Sequence, residues 1–382
     1  MSQSVYNVQG REQDLCLGES LAATKQVGIV GGGVNGICTA IACARAGHQV
    51  TCFERGEPFA ETSSRSSRML HGGIRYLEHG HFGLVREALI ERDEWLTRSP
   101  EYTRVERFFF PIYDDSPRGK WLLTAGTKLY QWLAGRYSVG PSSLHSRAEA
   151  LELNPALNPD GLKGAVSYCD VVMDDQGVAS DLLTEAQQLG VSIKTQTQVR
   201  AVTESGNIEL ESGESEAFDT IVNAAGPWAS QVLNASNLTS NYEIAYVQGS
   251  HLMLDLVLEN PLVFQSNADQ RIIFAIPFSD ETLLGTTEAM IDIEQPIECS
   301  QEEEDYLLTI ASGQLSPRVG PLKVHSRFAG VRPIYKHKSE HPKNMSKASR
   351  DSVIEQRGKL ISVFGGKWTS ASHLGDKVCG LV

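Results

Sequence analysis

A short apolar run at residues 27–30 ends in Gly31-Gly32-Gly33-Val34-Asn35-Gly36, and the next apolar run closes on the acidic Glu54. Strand, glycines, helix, strand and acid in that order restrict this part of the chain to a βαβ unit that clamps a dinucleotide. Each glycine has its own task. Gly31 permits the tight turn out of the strand, Gly33 lets the backbone approach a pyrophosphate, and Gly36 lets the helix pack closely on the sheet. The spacing predicts a helix over residues 37–46, stopped by Gly47, whose N-terminus offers free N–H groups and a partial positive charge to phosphates. A second strand over residues 48–53 then delivers Glu54, whose carboxylate accepts hydrogen bonds from a ribose hydroxyl.

The rest of the composition narrows the partners. With 382 residues, 41% of them hydrophobic, the chain buries a substantial core and is expected to form two closely joined domains. A net charge of −13 disfavours general attraction to nucleic acid or anionic lipid, so an anionic substrate needs a local basic pocket. The seven cysteines are scattered without metal-ligand spacing, so no metal site is expected. Cys38, Cys43 and Cys52 fall inside the clamp, where they act as small apolar side chains in a reducing, cytoplasmic compartment. Residues 1–25 have neither the basic nor the apolar region of a signal peptide and read as a loosely ordered extension. No apolar run reaches the length of a membrane span.

Nucleotide-type features recur late in the chain with sheet-like segments between them, which makes the organisation discontinuous. Residues 191–203 read as a strand that turns at Glu204-Ser205-Gly206-Asn207 into residues 208–210. Residues 220–225 form an apolar strand running into Gly226-Pro227. Residues 242–287 read as antiparallel strands, Ser300 with Glu303 as a capping box, and residues 360–364 as a strand before Gly365-Gly366-Lys367 and a terminal helix. The expected fold is α/β: a doubly wound dinucleotide domain from residues 26–100, 160–235 and 350–382, interleaved with an antiparallel-sheet substrate domain from residues 101–159 and 236–349.

Thr62-Ser63-Ser64-Arg65-Ser66-Ser67-Arg68 followed by His71-Gly72-Gly73-Ile74-Arg75-Tyr76 closely resembles the signature of FAD-dependent glycerol-3-phosphate dehydrogenases. The likeness continues through Asn223-Ala224-Ala225-Gly226-Pro227-Trp228, Gly249-Ser250-His251, Gly285-Thr286-Thr287, Gly330-Val331-Arg332-Pro333, Ser349-Arg350-Asp351 and Gly365-Gly366-Lys367-Trp368-Thr369. It implies the fold of the D-amino-acid-oxidase-like flavoproteins, with FAD as cofactor and no requirement for a nicotinamide. It also implies that Ser63 and Ser64, with Thr62, lie along the pyrophosphate and that His71-Gly72-Gly73 approach the flavin. Asn35, Arg55, Val199, Ala225, Gly226, Gly366, Lys367, Trp368 and Thr369 complete the implied cofactor shell.

Oxidation of a secondary alcohol needs a hydride acceptor, a base for the hydroxyl proton and cations that hold the substrate's anionic group. By resemblance Arg75, Arg332, Arg350 and Lys367 supply the cations, matching phosphate oxygens as forks or a point charge, and Tyr76 adds a hydroxyl donor. His71 is preferred as the base and His251 is the alternative, since imidazole has a suitable intrinsic pKa. Arg65 and Arg68 read as solvated loop cations, and Asp174-Asp175 as a loop acid or helix cap. Lys336, His337, Lys338, His341, Lys343 and Lys347 form a basic loop that either funnels an anion or is a solvated turn.

The family resembled continues into a C-terminal helical domain, which this chain is expected to lack. Trp368-Thr369-Ser370-Ala371-Ser372 also stands where the family pattern runs on to a tyrosine and an arginine. Electrons leave the flavin to quinone, oxygen or a soluble carrier. Phe108-Phe109-Phe110-Pro111 and the stretch Trp121, Leu122, Ala125, Leu129, Trp132 and Leu133, with Lys120, Lys128 and Arg136, read either as core-facing or as an interfacial helix that contacts the membrane surface. Two alternatives stay open: an amine- or 2-hydroxy-acid-oxidising enzyme of the same fold, and a non-catalytic FAD-binding paralogue.

Overall fold

Strands rich in buried β-branched residues organise the computed structural model, which describes residues 23–339 and 352–382. A six-stranded sheet takes the order Ser352–Arg357, Leu360–Gly365, Thr220–Asn223, Gln26–Val30, Gln49–Phe53, Ser192–Lys194. All neighbours are parallel except the first pair, which is a hairpin. The chain moves to one side after Gln26–Val30 and later returns on the other. The carboxyl end of that strand is therefore a switch point, where an open α/β sheet leaves a crevice.

Alternation along the strands gives the sheet two different coats. Val27 and Ile29 face a core shared with the helices Val34–Arg45, Asp175–Gln188 and Ala371–Cys379. Val30 and Phe53 face the opposite way, onto a small three-stranded sheet (Val199–Val202, Asn207–Leu210, Ser215–Ala217) and the short helix Ala229–Ala235. The second winding is thus mostly β. Cys38, Cys43 and Cys52 are all buried, and burial pushes the Cys38 and Cys52 thiols up to about 12.

A ten-stranded mixed sheet forms the second layer. Its longest pairings are Tyr242–Leu254 with Val324–His337 and Thr103–Tyr113 with Leu162–Met173, both antiparallel. Phe108, Phe109 and Phe110 are buried within Thr103–Tyr113, so this aromatic run is core. The helix Gln301–Gln314 starts with the anticipated capping box, Ser300 and Glu303 each bonding the other's backbone.

Several readings change in three dimensions. Residues 191–203 are not one strand. Ser192–Lys194 adds to the parallel sheet, and the chain then turns, with Gln196 at a φ of 50° and Thr197 N–H donating to Glu54 C=O at 2.8 Å, before Val199–Val202 enters the small sheet. Leu162–Met173, inside a segment assigned to the dinucleotide unit, belongs to the mixed sheet, because its partner along its whole length is Thr103–Tyr113. The helix Lys120–Ala134 faces the core through Leu123, Tyr130 and Leu133, while Trp121, Leu122 and Trp132 are exposed on its outer side. Arg68 is no solvated cation, since it pairs with the buried Asp175 at 3.7 Å and lies over the Phe278 ring at 4.3 Å. Arg65 lines the cavity described below and meets Glu61 only at 3.8 Å. Asp174 caps the helix Asp175–Gln188 by accepting from Gln176 N–H.

Candidate functional site

At the switch point the chain leaves Gln26–Val30 through Gly31, whose φ of +104° suits only glycine and whose Cβ, if present, would lie 2.7 Å from Ala224 C=O. At Gly36 a Cβ would fall 1.9 Å from Gly31 C=O, so only glycine lets the helix start this close to the strand. No side chain of the N-cap residue, Gly33, caps the helix Val34–Arg45; its first N–H, that of Val34, donates to Ser63 Oγ at 3.1 Å. Glu54 accepts from Gly32 N–H at 2.7 Å and Gly56 N–H at 2.9 Å, which pins the carboxylate at the end of the second strand. Arg55 lies 4.1 Å over the Trp228 ring.

These groups open onto a cavity of about 610 Å³ whose walls come from both sheets. Gly31, Gly33, Asn35, Glu54, Arg55, Val199, Ala225 and Gly226 line it, and so do Thr62, Ser63, His71, Gly73, Gly366, Lys367, Trp368 and Thr369. Gly36, Ser64 and Gly72 do not. Gly36 lies behind the turn, Ser64 Oγ donates to Ala60 C=O at 2.9 Å, and Gly72 N–H donates to Tyr130 Oη at 2.7 Å. An FAD fits these residues. The glycine turn leaves backbone room, the helix N-terminus offers N–H groups, and the buried Oδ1 of Asn35 is an acceptor without a protein partner.

Two distant segments are clasped across this cavity. Trp368 Nε1 donates to Ser63 C=O at 2.8 Å and its ring stacks on Phe59 at 5.7 Å, while His71 N–H donates to Thr369 Oγ1 at 3.3 Å. Trp95 Nε1 donates to Thr369 C=O at 2.9 Å, and Thr62 Oγ1 to Val331 C=O at 3.1 Å. Trp368 and Thr369 therefore hold the 62–73 segment against the last strand–turn–helix unit.

Arg75, Tyr76, Arg332 and Lys367 line the same cavity, with Lys367 Nζ 4.9 Å from the centre of the Tyr76 ring. Arg332 Nη2 donates to Thr286 Oγ1 and Thr287 C=O, each at 3.1 Å, and Glu288 holds Nη1 at 3.4 Å while pairing with Arg271 at 2.9 Å. Arg350 lies outside the described residues, as do His341, Lys343, Lys347 and residues 1–22. Lys336 pairs with Glu243 at 3.0 Å. His251 is buried in the wall, stacked on Phe328 and hydrogen-bonded through Nε2 to Ser67 Oγ at 2.8 Å. Burial, with Arg332 and Arg68 adding repulsion, lowers its pKa to about 3. An imidazole this hard to protonate stays neutral and serves the wall as a hydrogen-bonding group.

Sequence reasoning passed over Ser67, Thr286, Tyr168 and Asp170, all of which line the cavity. The first two sit in segments already singled out as motifs. Tyr168 and Asp170 sit in a strand whose alternation gave no sign of a site. Among the described residues no cluster suits a metal ion.

A glycine-turn dinucleotide cradle on one sheet shares its cavity with Arg332 from the second sheet, Arg75 from a short helix and Lys367 from the turn after the last strand of the first sheet, which defines a two-layer flavoprotein. Residues 26–371 match the family of FAD dependent oxidoreductases designated DAO. The glycerol-3-phosphate dehydrogenase of Pseudomonas tolaasii is 32% identical over 373 residues, covering 93% of this chain and 71% of that protein. The D-erythritol 1-phosphate dehydrogenase of Brucella abortus is 32% identical, covering 91% of this chain and 72% of that protein. Among solved structures, the glycerol-3-phosphate dehydrogenase of Bacillus halodurans complexed with FAD superposes with a TM-score of 0.71 at 22% identity, covering 96% of this chain and 66% of that one. The chain belongs to the DAO family of FAD-dependent oxidoreductases, and FAD is its cofactor.

Proposed function

We propose that this chain oxidises sn-glycerol 3-phosphate, or a short phosphorylated polyol of the same chemistry, to the ketone, which for glycerol 3-phosphate is dihydroxyacetone phosphate. The observation that carries this reading is that Arg75, Arg332 and Lys367, far apart in sequence, line one cavity with the dinucleotide cradle. The similarity to two dehydrogenases of phosphorylated polyols supports it further. When bound, FAD supplies the hydride acceptor, N5 of its ring. Arg75, Arg332 and Arg350 hold the phosphate, Tyr76 donates to a substrate oxygen, and Lys367 adds positive charge beside them. His71 receives the hydroxyl proton as the C–H bond breaks, and His251 orients the substrate through its neutral ring. In this reading residues 26–100, 160–235 and 350–382 hold the cofactor and residues 101–159 and 236–349 the substrate, with Leu162–Met173 joining the substrate side.

Anaerobic mixing of the holoprotein with substrates tests the assignment. Glycerol 3-phosphate should bleach the flavin, and unphosphorylated glycerol at the same concentration should not. Equal bleaching by glycerol, or bleaching only by an amino acid or a 2-hydroxy acid, would overturn it. Mixing the bleached protein with oxygen, a short-chain quinone and a soluble redox carrier then identifies the electron acceptor by rate.

We infer a cytoplasmic location, with a peripheral contact at the cytoplasmic face of the membrane as the second reading. Among the described residues no helix is long and apolar enough to cross a membrane. The contact is supported by Trp121, Leu122 and Trp132, exposed on a helix that also carries Lys120 and Lys128. Wild-type protein should co-sediment with phosphatidylglycerol vesicles, and a Trp121→Gln/Trp132→Gln variant should stay in the supernatant. Failure of the wild type to sediment refutes the contact.

A further inference from the structure

Behind the His71-Gly72-Gly73 turn lies a buried polar chain that reaches the cavity wall at Asp170 and has no part in the dinucleotide cradle or the anion-binding end described above. Gly72 N–H donates to Tyr130 Oη at 2.7 Å, and Tyr130 Oη lies 2.7 Å from Asp170 Oδ2. Asp170 Oδ1 accepts from Arg92 Nη1 at 3.1 Å and from Val171 N–H at 3.1 Å, and Arg92 Nη2 donates to Tyr137 C=O at 2.7 Å. Arg92, Tyr130 and Asp170 are at most 2% exposed and come from two different helices and a strand of the mixed sheet.

The direction of every bond in this chain is set by chemistry. A peptide N–H can only donate, so the Tyr130 oxygen accepts from Gly72 and its own hydrogen goes to Asp170. Arg92 keeps its charge at any ordinary pH, so the buried carboxylate beside it is its counter-ion. The turn is also held by contact, since a Cβ on Gly72 would lie 2.6 Å from Leu89 side-chain atoms and 2.6 Å from Tyr130 Oη. His71 and Gly73 line the cavity and Gly72 does not, so the chain grips the residue of the turn that lies behind the cavity wall. A buried ion pair is weak evidence for stability, because well-packed apolar replacements of similar size are often neutral or better. Its value here lies in geometry.

We propose that Tyr130, held by Asp170 and Arg92, is a positioning residue for the flavin: it fixes the Gly72 peptide so that the His71–Gly73 backbone presents one rigid face to the ring. The inference rests on the reading that this turn lies against the flavin. It does not depend on which alcohol is oxidised.

The test uses the FAD-loaded Tyr130→Phe variant, with three readouts: the visible spectrum of the bound flavin, its midpoint potential in a dithionite titration against reference dyes, and kcat and KM with glycerol 3-phosphate. The loss of one hydrogen bond that aligns reacting groups should lower kcat about tenfold. KM should stay within about twofold, because the phosphate contacts are untouched. The flavin bands and the potential should shift as well. A second variant, Arg92→Met/Asp170→Leu, removes the charged pair without leaving either partner unpaired, and it should reproduce the same spectral and potential shifts. A Tyr130→Phe protein with wild-type spectrum, potential and kcat overturns the proposal and leaves Tyr130 as core packing. If Tyr130→Phe does not fold, an unshifted spectrum and potential in the double variant overturn it equally. Because spectrum and potential are read with dithionite, they remain decisive even if glycerol 3-phosphate is not the substrate.

Discussion

One methyl group at Gly36 should cost this protein both its cofactor and part of its fold. An alanine Cβ there would sit 1.9 Å from Gly31 C=O and 3.1 Å from Gly31 carbonyl carbon. Normal contact lies near 3.5 Å, so strand end and helix start would have to separate by about 1.5 Å. Neither side is loose: Gly31 N–H donates to Phe53 C=O at 2.9 Å, and Ile37 N–H donates to Gly33 C=O at 3.0 Å. Overpacking against backbone should cost roughly 2–3 kcal/mol, the upper part of the usual range, or several degrees in Tm. A displacement of that size also carries the helix N–H groups out of hydrogen-bond range of the pyrophosphate. Each charge-assisted bond lost is worth about 1.5–3 kcal/mol, so FAD affinity should fall at least tenfold. Gly33→Ala is the control. Its Cβ meets only Ser63 Oγ, at 3.4 Å, so the apoprotein should melt near the wild-type temperature, yet the methyl group projects into the cavity wall and FAD should still be lost. Calorimetry of both apoproteins and fluorimetric FAD titration separate the effects. A Gly36→Ala protein with wild-type Tm and FAD affinity would refute the steric argument.

Other substitutions probe the remaining links. Arg332→Ala removes a guanidinium already oriented by Thr286 and Glu288, so steady-state assays should show the half-saturating glycerol 3-phosphate concentration rising about tenfold or more; an unchanged value would exclude this arginine from phosphate binding. Burial raises the Asp175 pKa to about 6, so the folded state binds a proton that the unfolded state has already lost. This group's contribution therefore declines as pH rises from about 4 to 6, and Asp175→Asn should lack that decline in a plot of Tm against pH. Trp368→Phe leaves Ser63 C=O without its donor and should lower stability by about 1–3 kcal/mol in a denaturant melt. FAD should dissociate faster from this variant, and an FAD off-rate equal to wild type would show that the clasp is not part of the site.

What the sequence by itself determined is mostly local. Gly31 and Gly36, at the strand end and in the first turn of an apolar helix, admit one geometry, because only glycine tolerates the positive φ of the one and the close backbone approach of the other, and that geometry creates the helix N-terminus that faces a pyrophosphate. The Ser300–Glu303 capping box was likewise legible from residues three apart. Function-bearing signatures could be read as strings, yet the role of each side chain depends on where distant segments meet. Whether Arg68 is solvated or locked onto Asp175, whether His251 can hold a proton, and whether Trp368 touches cofactor or clasps Ser63 depend on burial and on partners more than a hundred residues away. The split of residues 191–203 between two sheets and the placing of Leu162–Met173 are also tertiary, since each strand's apolar alternation is compatible with either sheet until pairing selects one. Local backbone sterics are written into a few adjacent residues. Desolvation, ion pairing and sheet membership are properties of the assembled core, and only the tertiary structure decides them.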